Sequence, residues 1–312
     1  MPGPLPTFSH EAFDAAAVAS AKRASGQRIS VCLPARDEAD TVGTIVTTIR
    51  RHLLEATPLV DEIVVMDDSS DSRTGDVARH AGATVWRVAD VPVGDRSGRG
   101  KGNALWASLY ACEGDLICWV DADIRDFAPH FVTGLVGPLL VDPGIGFVKG
   151  FYRRPFDGQA SGGGRVTELM ARPLLSYLFP HLAPIRQPLS GEYAGRRVVL
   201  EAVPFVEGWG VELGLLVDVA ARFGVGAIAQ CDLGVRVHRN RSLRDLGPQA
   251  MEILVTALRK AGLEPAGRNG DERLVRFDDA HRLEVVELAV RERPPMREQP
   301  AYRAKHGLEL SA

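Results

Sequence analysis

Short apolar runs alternate with stretches of helical spacing through the first half of the chain. Buried strands are predicted at residues 29–33, 63–66, 84–88 and 116–120. Helices are predicted at residues 42–53, through 77–78 and at 105–112, after a short Ala-rich helix at 12–21. Because strands and helices alternate along the chain, the pattern favours an α/β fold with a parallel sheet.

The second half continues this alternation less regularly. Strands are predicted at residues 146–152 and 227–237, and helices at 165–178, 211–223 and 243–263. A glycine-rich loop at 157–164 separates the halves, and the residues after 265 are charged and weakly patterned. We therefore predict a Rossmann-like, mostly parallel sheet with a second lobe. The expected division is an N-terminal extension (1–26), a first lobe (27–156), a second lobe (157–266) and a C-terminal tail (267–312).

Polar or loop-forming residues follow three of the predicted strands. In chain order they are Pro34, Ala35, Glu38, Asp68, Ser69, Asp121, Ala122 and Asp123. Ligands of open α/β sheets gather at the carboxyl ends of the strands, so we expect these residues to converge on one cleft. Carboxylates such as Asp68 can accept hydrogen bonds from a nucleobase or ribose, but the same residues serve equally well as caps of the next helix.

Two carboxylates, Asp121 and Asp123, flank a small residue at the end of a buried strand. Hard oxygen ligands suit Mg²⁺ or Mn²⁺, which commonly takes one or two carboxylates and keeps positions for phosphates. The alternative is that the aspartates only end the strand, since Asp is common at such boundaries. The pair alone does not decide between these interpretations.

A lysine lies in the glycine-rich sequence 98–102 (GRGKG), just before a predicted helix. Glycines let a backbone approach a phosphate, and a helix N-terminus favours an anion, so Lys101 is a candidate pyrophosphate contact. The loop is not a Walker A motif, because Gly102 stands where that motif has Ser or Thr. A plain surface loop is the competing interpretation.

Residues 237–241 (VHRNR) bring several ligand-capable groups together after a predicted strand. His238 is a candidate metal ligand, although a lone histidine is usually structural. Arg241 would be available to an acidic substrate, with Asn240 beside it.

A second candidate anion pocket follows the glycines that end at Gly164. It combines backbone N–H groups with the guanidinium of Arg165 and the hydroxyl of Thr167. Both segments belong to the predicted second lobe, so a cleft between the lobes would join them to the strand tips.

Composition narrows the class of function. The formal net charge of -3 gives no global basic bias toward nucleic acid. The apolar stretch 131–141 is interrupted by Gly and Pro and falls short of the roughly 20 residues of a membrane helix. The N-terminus lacks a secretory signal, and the four cysteines show no CxxC spacing, which indicates buried thiols. We expect a cytoplasmic protein that acts on neither nucleic acid nor membrane.

These passages, in this order, resemble the glucosyl-3-phosphoglycerate synthases, retaining glycosyltransferases of the GT-A fold. The resemblance runs over residues 29–295. Its most specific passages are 162–172 (GGGRVTELMAR), 187–194 (QPLSGEYA), 210–216 (GVELGLL) and 233–241 (LGVRVHRNR). The DxD at 121–123 is shared widely among GT-A enzymes, so the second-lobe passages carry the resemblance.

The resemblance implies transfer of glucose from UDP-glucose to 3-phosphoglycerate with Mg²⁺ or Mn²⁺. It assigns donor binding to the eight residues at the strand tips together with Lys101, and the metal to Asp123 and His238. Asp123, Lys101 and Glu212 would be the catalytic residues, with Glu212 positioning the reactants. It places the acceptor at Gly164, Arg165, Thr167, Asn240 and Arg241. It also implies a homodimer.

Two departures from the family pattern keep alternatives open. The second strand tip, 66–70, reads MDDSS in place of a glycine-containing version, and Trp209 stands where the family favours another aromatic residue. These positions bear on nucleobase and hexose, so a mannosyl-3-phosphoglycerate synthase using GDP-mannose is the nearest alternative. A sugar nucleotidyltransferase would typically need a glycine-rich loop after the first strand, and residues 34–38 contain no glycine. A non-catalytic nucleotide-sugar-binding module is the third possibility.

Overall fold

The computed structural model describes residues 5–95, 97–154, 164–236, 242–264, 272–278 and 280–308. Its strands are β1 (Thr7–Ser9), β2 (Ile29–Ala35), β3 (Glu62–Asp67), β4 (Thr84–Arg87), β5 (Leu116–Trp119), β6 (Phe147–Arg153), β7 (Tyr193–Arg196), β8 (Phe205–Val206), β9 (Ile228–Val235), β10 (Arg273–Phe277), β11 (Leu283–Glu287) and β12 (Glu292–Arg293). Its helices are α1 (Ala15–Ser25), α2 (Val42–Ile49), α3 (Arg73–Ala81), α4 (Gly100–Ala111), α5 (His130–Val141), α6 (Arg172–Leu178), α7 (Arg197–Leu200), α8 (Val211–Phe223), α9 (Leu243–Lys260) and α10 (Pro300–His306).

The main sheet has eight strands in the order β1-β9-β6-β7-β5-β2-β3-β4. Only β7 runs antiparallel to its neighbours, β5 and β6, and the other pairings are parallel. The central strands are buried on both faces, which is why they read as continuous apolar runs in the sequence. The prediction of a mostly parallel α/β sheet is therefore confirmed.

Apolar side chains pack on each face of the sheet. Leu105 of α4 and Leu215 of α8 belong to one core, and Ile45 of α2 and Leu135 of α5 belong to the other. The glycines that interrupt α5 permit close packing: a Cβ at Gly137 would lie 2.3 Å from the ring of Phe13. The apolar stretch 131–141 is thus a core helix. Within the described ranges, no helix combines the length and apolar character that a membrane crossing requires.

Strands from beyond the predicted lobe boundary enter the same sheet. β7 lies between β5 and β6, and β9 pairs with β6, although both come from the range 157–266. β1, from the N-terminal extension, pairs with β9 in turn. The four predicted segments therefore share one sheet or pack against it, and their division into lobes stays a prediction.

The tail is more ordered than its weak pattern indicated. β10 and β11 form an antiparallel hairpin, and β12 pairs with β8. In α10 the buried hydroxyl of Tyr302 donates to Glu201 Oε2 at 2.6 Å. The predicted helix at 12–21 also differs, because Asp14 caps α1 by accepting from the N–H groups of Ala16 and Ala17. α1 therefore starts at Ala15.

Candidate active site

One cavity of about 340 Å³ opens at the carboxyl ends of β2, β3 and β5. Most of the predicted site residues line it: Pro34, Ala35, Glu38, Asp68, Lys101, Asp121, Ala122, Asp123, Gly164, Arg165, Thr167 and Glu212. Parallel strands bring their tips to one edge of the sheet, so loops far apart in sequence meet there. His238, Asn240 and Arg241 lie outside the described residues.

A buried lysine bridges two carboxylates at the centre of this cavity. Lys101 stands in the first turn of α4, and its Nζ lies 2.6 Å from Asp121 Oδ1 and 2.9 Å from Glu212 Oε1. Burial alone would lower the pKa of Lys101, but the two carboxylates raise it well above its usual value. Burial likewise opposes ionisation of Asp121, yet Lys101 and Arg236 lower its pKa overall. Both groups are therefore charged at neutral pH.

The two aspartates of the DxD differ in their partners. Asp121 pairs with Lys101 through Oδ1 and with Arg236 through Oδ2, at 2.6 and 3.4 Å. Asp123 accepts from Arg236 Nη2 through Oδ1, at 2.8 Å, and about a third of its side chain remains exposed. Because both oxygens of Asp121 are engaged by cations, Asp123 is the better placed of the two to ligate a metal ion.

The tips of β2 and β3 form the opposite part of the cavity. Burial raises the pKa of Asp68, and Arg36, whose Nη1 lies 4.0 Å from Asp68 Oδ2, opposes this effect. Ser69 does not line the cavity; its buried Oγ accepts from the N–H of Asp37 at 2.9 Å and so ties the two tips together. The hydroxyl of Ser69 therefore joins the loops that follow β2 and β3 without itself lining the cavity.

The predicted anion pocket lies where the chain enters its next helical segment. Gly164 adopts a φ of +87°, which favours glycine, and Arg165 begins a helical turn. The predicted continuous helix 165–178 is divided, because wide turns span Thr167–Ala171 before α6 begins at Arg172. We call Gly164, Arg165, Thr167 and the neighbouring Arg154 the cationic pocket; all four line the cavity.

Several cavity-lining or supporting residues escaped the sequence analysis. Arg154 and Arg236 line the cavity, and Glu192 lies wholly buried behind it. Arg154 and Arg236 are charged residues in or beside a run whose pattern predicts burial, and that contradiction was the signal available in the sequence, whereas Glu192 lies outside every predicted element. The cysteine prediction is confirmed, since all four thiols are free and buried.

Known proteins resemble this chain over most of its length. The model of the family described as "Glycosyl transferase family 2" matches residues 30–188. A glucosyl-3-phosphoglycerate synthase of Petrotoga mobilis is 42% identical over 97% of this chain and 97% of its own. The mannosyl-3-phosphoglycerate synthase of Rubrobacter xylanophilus has 38% identity, a TM-score of 0.82, and coverage of 94% and 97%.

The glucosyl-3-phosphoglycerate synthase of Mycobacterium tuberculosis has been solved with Mn²⁺, UDP-glucose and phosphoglyceric acid. That structure has 41% identity and a TM-score of 0.82 over 94% of this chain and 98% of its own. The same enzyme with Mg²⁺ and UDP gives 40% identity, with the same TM-score and coverage. These similarities confirm the GT-A fold. The chain belongs to the family described as "Glycosyl transferase family 2" and to the family of the glucosyl-3-phosphoglycerate synthases.

Proposed function

We propose that this glycosyltransferase moves glucose from UDP-glucose to 3-phosphoglycerate, releasing UDP, with Mg²⁺ or Mn²⁺ as cofactor. One observation carries the proposal: a single cavity is lined both by the DxD carboxylates and by the cationic pocket. A nucleotide sugar at the strand tips would thus face an acidic acceptor within the same space. The complexes of the M. tuberculosis relative contain both kinds of ligand.

The donor would lie along the carboxyl ends of the strands. Pro34, Ala35 and Glu38 would border the nucleoside together with Asp68, while Ser69 holds the tips of β2 and β3 in register. Lys101 would stand beside the diphosphate, because its ammonium, which Asp121 and Glu212 keep charged, lies at the N-terminus of α4. Asp121 and Ala122 would complete the lining of the donor site.

The residues present fit a divalent cation that has few protein ligands. Asp123 offers a partly exposed carboxylate, and the described ranges contain no group of three or more His, Cys, Asp or Glu suited to a metal. Mg²⁺ and Mn²⁺ sites commonly use one or two carboxylates plus substrate phosphates. We assign Asp123 and His238 as the ligands; His238 follows Arg236, the partner of Asp123, by two positions. When bound, the cation would neutralise the departing diphosphate.

The acceptor would bind in the cationic pocket. 3-Phosphoglycerate carries a phosphate and a carboxylate, which match the forked guanidinium groups of Arg165 and Arg154 and the hydroxyl of Thr167. Asn240 and Arg241 would close the pocket. This arrangement holds the acceptor hydroxyl toward the sugar, and such orientation supplies a large part of catalysis in transfer reactions.

We further propose that the transfer retains the anomeric configuration without a covalent enzyme intermediate. The carboxylate of Glu212 lines the cavity, but its Oε1 is engaged by Lys101 at 2.9 Å. This pairing favours a positioning role over nucleophilic attack. The acceptor oxygen would then bond to C1 as the C1–phosphate bond breaks on the same face, and its proton would pass to the leaving diphosphate.

A matrix of donors and acceptors tests the function. UDP-glucose and GDP-mannose are each incubated with Mn²⁺ and either 3-phosphoglycerate, 2-phosphoglycerate or glycerate, and nucleotide release is followed. We expect release from UDP-glucose with 3-phosphoglycerate and at most slow release from GDP-mannose. Preference for GDP-mannose would favour the function named for the R. xylanophilus relative. If no donor and acceptor pair releases nucleotide, the chain would be a non-catalytic nucleotide-sugar-binding module.

We also propose a homodimer in the cytoplasm. Free thiols fit a reducing compartment. The β10–β11 hairpin leaves Val275, Phe277, Leu283 and Val285 on one exposed face, where Val275 pairs with Val285 and Phe277 with Leu283. Contiguous exposed apolar side chains typically mark an interface.

Sedimentation velocity should therefore show a dimer for the native protein and a monomer for Phe277→Lys with Val285→Lys. Tyr177→Lys, which removes an even more exposed aromatic side chain elsewhere, is the control and should leave the dimer intact. A native monomer would contradict the assembly, and a dimer that persists in the double variant would place the interface on another surface.

A further inference from the structure

Arg236 lies behind the DxD in an almost fully buried position. It directly follows β9, its side chain is 2% exposed, and its Nη2 donates to Asp123 Oδ1 at 2.8 Å. Its Nη1 donates to Glu192 Oε1 at 2.5 Å, and that carboxylate is also fully buried. The DxD is thus backed by an internal ion pair that is almost entirely buried.

Stability is a weak reason to bury such a pair. Removing two charges from water costs several kcal/mol per ion, and well-packed apolar residues often stabilise a core as well or better. A guanidinium fork does supply fixed geometry, because its N–H groups point in set directions. Arg236 uses this geometry to reach Asp121, Asp123 and Glu192 together.

The hydroxyl of Tyr152 completes the arrangement. It accepts from Arg236 Nη1 and from Arg154 Nη2, both at 2.8 Å. A hydroxyl has two acceptor positions, and these two bonds fill both of them. The network therefore links the carboxylates of the DxD to an arginine of the cationic pocket through fixed groups.

We propose that Arg236 is a positioning residue for the metal site, with Glu192 as the buried counter-charge that aims it. Arg236 holds Oδ1 of Asp123, so the rest of that carboxylate faces the cavity in one orientation. Residues that orient a metal ligand typically change metal affinity by roughly 10- to 100-fold when substituted. The inference rests on the proposed function, which makes Asp123 a metal ligand.

The test is Arg236→Lys, which keeps the charge and removes the fork. UDP binding is measured by calorimetry with saturating Mn²⁺ and again in EDTA. We expect Arg236→Lys to weaken binding about tenfold or more in Mn²⁺ and less than about twofold in EDTA. The matched control is Arg197→Lys: Arg197 is also buried, but its Nε and Nη2 donate to the carbonyls of Gly114 and Cys112, away from the cavity. Arg197→Lys should change UDP binding neither in Mn²⁺ nor in EDTA.

Two further variants keep the inference testable if Arg236→Lys folds poorly. Glu192→Gln preserves shape and removes the counter-charge, so it should weaken UDP binding in Mn²⁺ and leave binding in EDTA unchanged. In an Asp123→Ala background, Arg236→Lys should cause no additional loss, because the group it positions is gone.

Each opposing result has a distinct meaning. Equal losses in Mn²⁺ and in EDTA would show direct contact between Arg236 and the nucleotide and would overturn the positioning role. Native-like binding by both Arg236→Lys and Glu192→Gln would also overturn it. If the native protein binds UDP with the same affinity in Mn²⁺ and in EDTA, the proposed metal site is wrong, and the positioning role of Arg236 is wrong with it.

Discussion

Gly191 should tolerate no side chain, although its φ lies outside the left-handed region that favours glycine. A Cβ at this position would lie 2.0 Å from Asp121 Oδ2 and 2.4 Å from Oδ1, so rotating the carboxylate gives no relief. Ordinary contact begins at 3.4 Å, and the carboxylate must therefore move by 1.4 Å, the difference between 3.4 and 2.0 Å. A shift of this size separates Asp121 from Lys101 or Arg236.

Breaking a buried charge pair costs about 3 kcal/mol or more. For Gly191→Ala we therefore expect Tm to fall by roughly 6 °C, at about 2 °C per kcal/mol for a chain of this size. If a similar free energy is lost from the transition state, kcat/KM falls by about 100-fold. Thermal melts and initial rates of UDP release measure the two effects.

Gly226→Ala is the matched control. Gly226 is exposed, and a Cβ there would have no atom within 4 Å, so Tm and rate should stay at native values. If Gly191→Ala had the same Tm and the same rate as Gly226→Ala, the close packing of Gly191 against Asp121 would not matter. The reasoning from this contact would then be refuted.

Three further results are expected. EDTA should abolish transfer, and Mg²⁺ or Mn²⁺ should restore it; turnover after full chelation would contradict the metal assignment. Arg165→Ala should raise the KM for 3-phosphoglycerate far more than the Kd for UDP-glucose. Equal effects on the two constants would mean that the assignment of donor pocket and acceptor pocket is wrong. Burial lowers the pKa of Lys149 to about 7 from 10.5, so the folded state binds fewer protons than the unfolded state between these values. Stability relative to Lys149→Met should therefore rise with pH from 7 toward 10.5, by at most about 1.4 kcal/mol per unit, and stay at its lower value below 7; a difference that is flat across this whole range in denaturant titrations would contradict the shift.

The sequence predicted the strand tips because short apolar runs mark buried strands, and the end of each run marks where polar residues can face a cleft. Glu38, Asp68 and Asp123 could therefore be grouped before any contact was known. The helix 211–223 was also predicted with its observed bounds, since its apolar residues recur with helical spacing throughout.

Other features depend on contacts that are distant in sequence. The bond between Arg236 and Glu192 joins residues 44 positions apart. The sequence pattern placed Arg236 inside the strand predicted at 227–237, whereas β9 ends at Val235, one residue before it. β7 has four residues, and its antiparallel insertion between β5 and β6 follows from pairing partners and not from local pattern. The hairpin of β10 and β11 was missed because each strand alternates over only five residues, with charges among them.

Proton NMR of the purified product tests the central claim most directly. The protein is incubated with UDP-glucose, 3-phosphoglycerate and Mn²⁺, and the coupling of the anomeric proton is read. We predict a glucosyl group joined through the one free hydroxyl of 3-phosphoglycerate, with the small coupling of the α-anomer. A β-anomer would contradict retention, and free glucose with unchanged 3-phosphoglycerate would contradict the transfer itself.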